Sequence, residues 1–273
     1  MPEGPEALIN AHYIKKRFKG WTFSNIESNT KTKRTLPSTK RSSDGLVVID
    51  AYSYGKIIII QVMSHYVHIH LGITGWIVPK KPRIYKYGLS FSKETKEGVV
   101  SKTVYIEDRR RFSSINIYSK ADHLTAISGL GTDILSNEFT LEYVSKIITS
   151  KKRNICATLM DQGLFAGLGN YIKNDALYLA RISPLRKCHE IDKAEIKKLY
   201  ESIRWIAFSN VVDWFDKYNI KIPTTLMKVA PKKLLVPYIF FVFDREKDDF
   251  GNNVVFLKSC GGRRTFYVPA LQK

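Results

Sequence analysis

The chain changes texture near its middle, and that change limits the folds open to it. From Trp21 to about Tyr118 the apolar runs are strand-sized: Gly45–Ile49, Ile57–Met63, Tyr66–Leu71, Thr103–Ile106 and Ser114–Tyr118. Gly, Ser, Asp and Pro break them, as an all-β sandwich or barrel requires. From about Ser136 apolar residues recur at helical spacing, which predicts helices over 139–148, 156–164, 169–180 and 193–218. Gly167-Leu168-Gly169-Asn170 interrupts them as a tight turn and a helix start. Past Pro237, strand-like runs return at 238–243, 254–257 and 265–268. Gly251-Asn252-Asn253, between the first two, is a hairpin signal. A short helix over 7–19, ended by Gly20, precedes the sandwich, and Asn29–Arg41 has the basic, polar make-up of an exposed loop. The expectation is an α+β chain in three parts: a helix with a β-sandwich at 1–128, a helical domain at 129–236 and a terminal hairpin at 237–273.

Charge narrows the function. Lys and Arg number 44 against 25 Asp and Glu, a formal net charge of +19. That excess points to a polyanion partner bound with strong salt dependence. The densest apolar run, Ile57–Met63, is too short to span a membrane, and no signal peptide is expected where Met1 leads straight into Pro and Glu. Cys156, Cys188 and Cys260 are widely spaced and odd in number, which fits a reducing compartment rather than a disulfide framework or zinc cluster. The start, Met1-Pro2-Glu3-Gly4-Pro5-Glu6, has two readings. It is an acidic segment without a role, or, once Met1 is removed, Pro2 is a secondary amine. An α-amino group titrates near pH ~8, so much of it is neutral and nucleophilic. Attack on a sugar carbon gives an iminium ion, with Glu3 and Glu6 available for proton transfer.

Six segments in one order resemble the formamidopyrimidine-DNA glycosylase / endonuclease VIII family. They are Pro2-Glu3-Gly4-Pro5-Glu6, Gly55-Lys56, His70-Leu71-Gly72-Ile73-Thr74-Gly75, Asp108-Arg109-Arg110-Arg111-Phe112, Leu159–Tyr171 and Gly262–Tyr267. The resemblance implies a helix–two-turn–helix domain, a finger hairpin, and a base-excision DNA glycosylase with lyase activity that flips damaged nucleotides out of the duplex. By resemblance, Pro2 attacks the sugar C1′, Glu3 assists ring opening, Glu6 shuttles protons, and Lys56 contacts the phosphate beside the imine. His70, Lys151, Asn170 and Arg263 contact DNA backbone, with Arg264 able to take over from Arg263. Lys152 and Arg153 join Lys151 in a basic cluster. Ile73, Arg110 and Phe112 fill the space left by the flipped base, although core packing is the plain alternative for Ile73 and Phe112. Asn170 can also cap a helix. His68 is a packed polar residue without a role.

The departures from the family pattern are informative. Val268-Pro269-Ala270-Leu271-Gln272 stands where a Cys-x-x-Cys-Gln would end a zinc finger, and the earlier cysteine pair is missing from 246–251. The finger is then zincless, as in a subgroup found among vertebrate endonuclease VIII-like enzymes, plant homologues and giant DNA viruses, and no metal or cofactor is expected. Cys156 stands where family members often carry a lysine. The implied partner is double-stranded DNA with damaged bases or abasic sites, bound by a monomer in the basic cleft between the domains, with no membrane. The implied location is the nucleus or a site of DNA replication, or the cytoplasm or virion for a viral chain. Oxidised pyrimidines are the favoured lesions. An enzyme preferring 8-oxoguanine and formamidopyrimidines, with 219–237 as a purine-holding loop, and a non-catalytic damage-binding module are the alternatives.

Overall fold

The computed structural model describes residues 2–29, 46–63 and 65–273; all of the expected loop except Asn29 lies outside them. The chain divides into two compact units. One holds Pro2 and Glu6–Gly129, the other Glu3–Pro5 and Leu130–Lys273. Among the described residues no helix is long and apolar enough to cross a membrane.

The first unit is built on α1 (Gly4–Phe18) and eight strands, β1 (Thr22–Ser28), β2 (Val48–Tyr54), β3 (Ile57–Val62), β4 (His65–His70), β5 (Trp76–Val78), β6 (Tyr87–Thr95), β7 (Gly98–Glu107) and β8 (Ser114–Ser119). They form two four-stranded antiparallel sheets, ordered β1-β6-β7-β5 and β2-β3-β4-β8. Ala7, Ala11, Ile14 and Phe18 recur at helical spacing on one buried face of α1. Phe18 stacks on Phe91 of β6 with ring centroids 4.0 Å apart. Gly20, at φ 80°, lets the chain turn out of the helix. Ile57–Ile60 are all buried, as expected for a strand covered on both sides.

A nine-residue helix not anticipated from sequence, α2 (Lys120–Ser128), follows β8 with Ser119 as its N-cap. It explains His68. The His68 Nε2 lies 2.7 Å from Nδ1 of His123 on α2, His123 stacks on Tyr66 at 4.0 Å, and Tyr52 OH is 3.3 Å from its other nitrogen. Burial first, then the neighbouring His123 and His70, lower the His68 pKa to about 4. The unfolded chain therefore takes up this proton near pH 6.5, before the folded chain does. The pair's contribution is complete above that pH and is lost as pH falls toward 4. Allowing for solvent screening, a loss on the order of 2 kcal/mol is expected across that window. His68→Gln should flatten this acid limb in a plot of melting temperature against pH; an unchanged limb would show that His68 does not carry it.

The second unit contains β9 (Thr132–Asp133), α3 (Leu141–Thr149), α4 (Ile155–Leu159), β10 (Phe165–Ala166), α5 (Asn170–Ala180), α6 (Lys193–Lys217), α7 (Thr224–Met227), β11 (Val255–Cys260) and β12 (Arg263–Tyr267). Asp192 and Glu195 close a reciprocal cap at the start of α6. The helix expected over 156–164 stops at Leu159, because Gln162 turns the chain. Its side chain donates to the carbonyls of Met160 and Leu168 and accepts from the Gly167 N–H.

Two expectations fail near the end of the chain. Residues 238–243 are not a strand. Buried Asp175 accepts the N–H groups of Phe241, Val242 and Phe243 and the Tyr238 hydroxyl, which curls this backbone around one carboxylate. Nor is Gly251-Asn252-Asn253 the hairpin turn. Asp248 accepts the N–H groups of Phe250 and Asn252 and the Asn252 amide, making a local loop. The hairpin pairs β11 with β12 across Gly261-Gly262, whose φ values of 63° and 74° suit the two-residue turn that follows the strand twist.

Candidate active site and nucleic-acid interface

In the first unit, Lys56, His70, Ile73, Arg110 and Phe112 lie in the turns and strand ends at one end of the β2-β3-β4-β8 sheet. Gly55 and Lys56 form the two-residue turn between β2 and β3, with Gly55 at φ 56°. Ile57, next to Lys56, pairs with His70, which pairs in turn with Ser114 at the start of β8. Burial lowers the His70 pKa and favours a neutral imidazole, which still has one N–H to give a phosphate oxygen.

The turn after His70 leans on the arginine loop. Gly72 is at φ 67°, and a Cβ there would lie 2.7 Å from the Phe112 carbonyl carbon. Buried Asp108 ties the two together. Its carboxylate accepts the Thr74 hydroxyl at 2.8 Å, the Arg110 N–H at 3.2 Å and the Ser113 N–H at 2.7 Å. Burial pushes the Asp108 pKa upward, but these bonds outweigh it and hold the carboxyl below the usual range. Phe112 is 54% exposed, so core packing does not account for it. The Arg110 guanidinium lies 4.9 Å from its ring centre. An aromatic and an arginine held out from a braced loop have the form of a wedge for a base stack. Pro2 is half-buried, and Glu6 is buried, its carbonyl accepting the Asn10 amide at 2.7 Å.

In the second unit, Glu3 meets the N-terminus of α5. Its carboxylate accepts the N–H groups of Tyr171 at 2.9 Å and Ile172 at 3.4 Å. A Cβ on Gly169 would fall 2.1 Å from the Glu3 carboxyl carbon. Only glycine lets the acid approach these donors, and the helix dipole favours it there. This corrects the reading of Asn170 as a cap. Gly169 is the N-cap, and Glu3 bonds the free N–H groups. The Asn170 amide instead donates to the Arg264 carbonyl at 2.9 Å, while its Oδ1 is buried without a partner.

Three α5 side chains therefore hold three consecutive residues of β12. Asn170 binds Arg264, Lys173 Nζ donates to the Thr265 hydroxyl at 2.6 Å, and Asn174 Oδ1 accepts the Phe266 N–H at 3.2 Å. Lys173 is fully buried, and burial lowers its pKa against the opposing effect of nearby Cys156, Cys260 and Glu3. Sequence reading missed it. The available signal was its place three residues after Asn170 and one before Asn174, on one helix face.

The two finger arginines differ. Arg264 lies over the rings of Phe256 and Phe266, at 4.8 Å and 5.0 Å from their centres. Arg263 is exposed where β12 leaves the turn. Lys151 follows α3 and is half-buried, whereas Arg153 is bound to Asp161 at 2.6 Å and to Thr158 at 3.1 Å. Arg153 is thus paired with an acid, although its side chain stays 43% exposed. Among the described residues, no group of three or more His, Cys, Asp or Glu could hold a metal ion.

Residues 1–115 match the model of the formamidopyrimidine-DNA glycosylase N-terminal domain, and residues 130–212 match that of the formamidopyrimidine-DNA glycosylase H2TH domain. A formamidopyrimidine-DNA glycosylase of Wolbachia pipientis subsp. Culex pipiens is 30% identical over 287 residues, covering all of both chains. Two solved structures share the fold. MutM (Fpg) of Thermus thermophilus has a TM-score of 0.76 at 22% identity, covering 99% of this chain and 98% of its own. The Lactococcus lactis formamidopyrimidine-DNA glycosylase, solved with DNA containing an abasic site, has a TM-score of 0.77 at 18% identity and covers 99% of each chain. The fold and site define a DNA glycosylase that acts on damaged DNA. The chain belongs to the formamidopyrimidine-DNA glycosylase family.

The contrast between the arginines gives a direct test. Arg263→Ala should weaken binding to abasic duplex and lower the salt-dependence slope by about one, as for one lost phosphate contact. Arg264→Ala should chiefly lower stability, by about 0.5–1 kcal/mol, through loss of its aromatic contacts. Titrations at several salt concentrations and thermal melts of both variants would check this; the reverse pattern would make Arg264 the DNA ligand.

Proposed function

We propose that the chain is a bifunctional DNA glycosylase and abasic-site lyase working through a Schiff base on Pro2. The observation that carries this reading is the acid next to Pro2 in the chain: Glu3 is buried and fixed by two N–H donors of α5. A carboxylate held so firmly fixes the backbone of its neighbour and presents charge in a defined place. With Met1 removed, the Pro2 amine attacks C1′ of the damaged nucleotide and the base leaves. Glu3 assists opening of the sugar ring. The resulting iminium acidifies the C2′ hydrogens, so β- and then δ-elimination break the strand. Glu6 shuttles protons, and Lys56 steadies the adjacent phosphate and supplies a proton for elimination.

We place the chain in the zincless-finger subgroup. The side chains that tie the finger to α5, and the loops closed by Asp175 and Asp248, support this assignment. That subgroup favours oxidised pyrimidines as lesions. A second reading, formamidopyrimidines and 8-oxoguanine, is favoured by the activity named for the Wolbachia relative.

Borohydride should trap a covalent adduct on abasic DNA, and peptide mapping should place it on Pro2. An adduct on Lys56, or none from protein with Met1 removed, would exclude this nucleophile. Glu3→Gln should lower base excision at least about tenfold more than cleavage of a preformed abasic site, as for a group acting by proton transfer in one step only. Equal losses would remove Glu3 from the excision step. Matched duplexes carrying thymine glycol, 5,6-dihydrouracil, 8-oxoguanine or an abasic site decide the lesion class. Faster excision of 8-oxoguanine than of both pyrimidine lesions would establish the second reading.

A further inference from the structure

Two thiols meet at the base of the finger turn. Cys156 lies in the first turn of α4 and Cys260 ends β11. Both sulfurs lie against the same acceptor, the Pro184 carbonyl, at 3.5 Å and 3.2 Å, and each thiol is within interaction distance of the other. No side chain separates the turn from the helix here. A Cβ on Gly261 would lie 2.6 Å from the Cys156 carbonyl carbon. Buried Lys173 is a third member, within electrostatic reach of both thiols and bonded to Thr265, two residues past Arg263.

The proton is shared unequally. The hydrogen bond from Cys156 lowers the Cys260 pKa to about 7 against the effect of burial, and Lys173 helps. The same bond, with burial, pushes the Cys156 thiol up. Cys260 is also the residue of the pair with some surface open to solvent, so an oxidant meets it first. A thiolate beside a second thiol is the arrangement in which oxidation ends in a disulfide.

We propose that Cys156 and Cys260 form a peroxide-reactive pair that closes to a disulfide and tethers the finger turn, with Arg263, to α4. The Cys260 thiolate attacks one oxygen of hydrogen peroxide and breaks the O–O bond. This gives Cys260 sulfenic acid and hydroxide, which takes up the proton released when the thiol ionised. The Cys156 sulfur then attacks the sulfenic sulfur. An S–S bond forms, the S–O bond breaks, and the hydroxyl leaves with the Cys156 proton as water. Together two thiols lose two electrons and two protons, and one peroxide becomes two waters. Cys188, bonded instead to the Thr158 hydroxyl at 3.1 Å, is an internal control.

The test uses the full, reduced chain. It is treated with hydrogen peroxide at neutral pH, alkylated with iodoacetamide, digested without reductant and mapped by mass spectrometry. A Cys156–Cys260 cross-linked peptide that dithiothreitol removes, with Cys188 alkylated, is the expected result. Cys156→Ser should stop at a Cys260 sulfenic acid that dimedone captures. Lys173→Met should slow Cys260 oxidation at least about threefold, because it removes a cation that favours the thiolate. Circular dichroism would establish that each variant is folded. Oxidation of Cys188 as fast as Cys260, or oxidation of Cys260 to sulfinic acid without a cross-link in the wild type, would overturn the proposal.

Discussion

The second unit depends on a helix that buries the wrong kind of residue. In α5, Asn170, Lys173, Asn174 and Asp175 are all buried, in a run where apolar side chains would be the cheap choice. Burying such groups costs several kcal/mol unless each finds a partner. Here most do. Asn170, Lys173 and Asn174 reach β12, and Asp175 gathers the 238–243 segment. At its front end the same helix receives the Glu3 carboxylate. One element therefore sets the position of an acid next to Pro2 and of the turn that carries Arg263. A change inside α5 acts on both, because a buried group that loses its partner remains desolvated.

The finger shows how a hairpin is organised by carboxylates. A small hairpin cannot bury enough apolar surface to stand alone. Asp175 and Asp248 each accept several bonds and close the loops that lead into β11, and Tyr178 links the helix to Asp248 at 2.9 Å. Around them Tyr178, Val242, Phe266 and Val268 form a small core, with Phe241, Phe243 and Val254 packed on it. Gln272 pins the chain end by accepting from Val268 and donating to the Ile182 carbonyl. Directional bonds fix the path and aromatic packing supplies the burial, so neither alone describes this region.

Sequence made the first unit legible and the last third only partly so. Short apolar runs such as Ile57–Val62 and His65–His70 became strands within a residue or two of expectation, because each stands on a local pattern. The 238–243 run misled for a physical reason. Its composition is that of a strand, but Asp175, more than sixty residues away, captures its N–H groups. Likewise Gly251-Asn252-Asn253 has turn chemistry and does turn, yet Asp248 uses it for a loop, and the hairpin turn belongs to Gly261-Gly262. Ile73, Arg110 and Phe112 are singled out in the sequence by motif order alone. The carboxylate that braces them, Asp108, was visible only as one letter of that motif, since its role lies in bonds to residues before and after it.

The surroundings of Cys156 show how α5 serves the end of α4. A lysine at 156 would carry its own ammonium to this end of α4. With cysteine there, the side chain is short and buried, and the nearby cation is Lys173, reaching from the next helix. The charge is not simply moved. At 173 it is fully buried and bonded to Thr265, so it works on the finger from inside rather than on a ligand at the surface. A buried ammonium beside two thiols needs electron density around it, and the Cys156 and Cys260 sulfurs and the Glu3 carboxylate all favour its charged form. Lysine, cysteine pair and Thr265 are therefore one packing solution. Replacing Lys173 alone would leave the Thr265 hydroxyl and both thiols without their neighbouring cation.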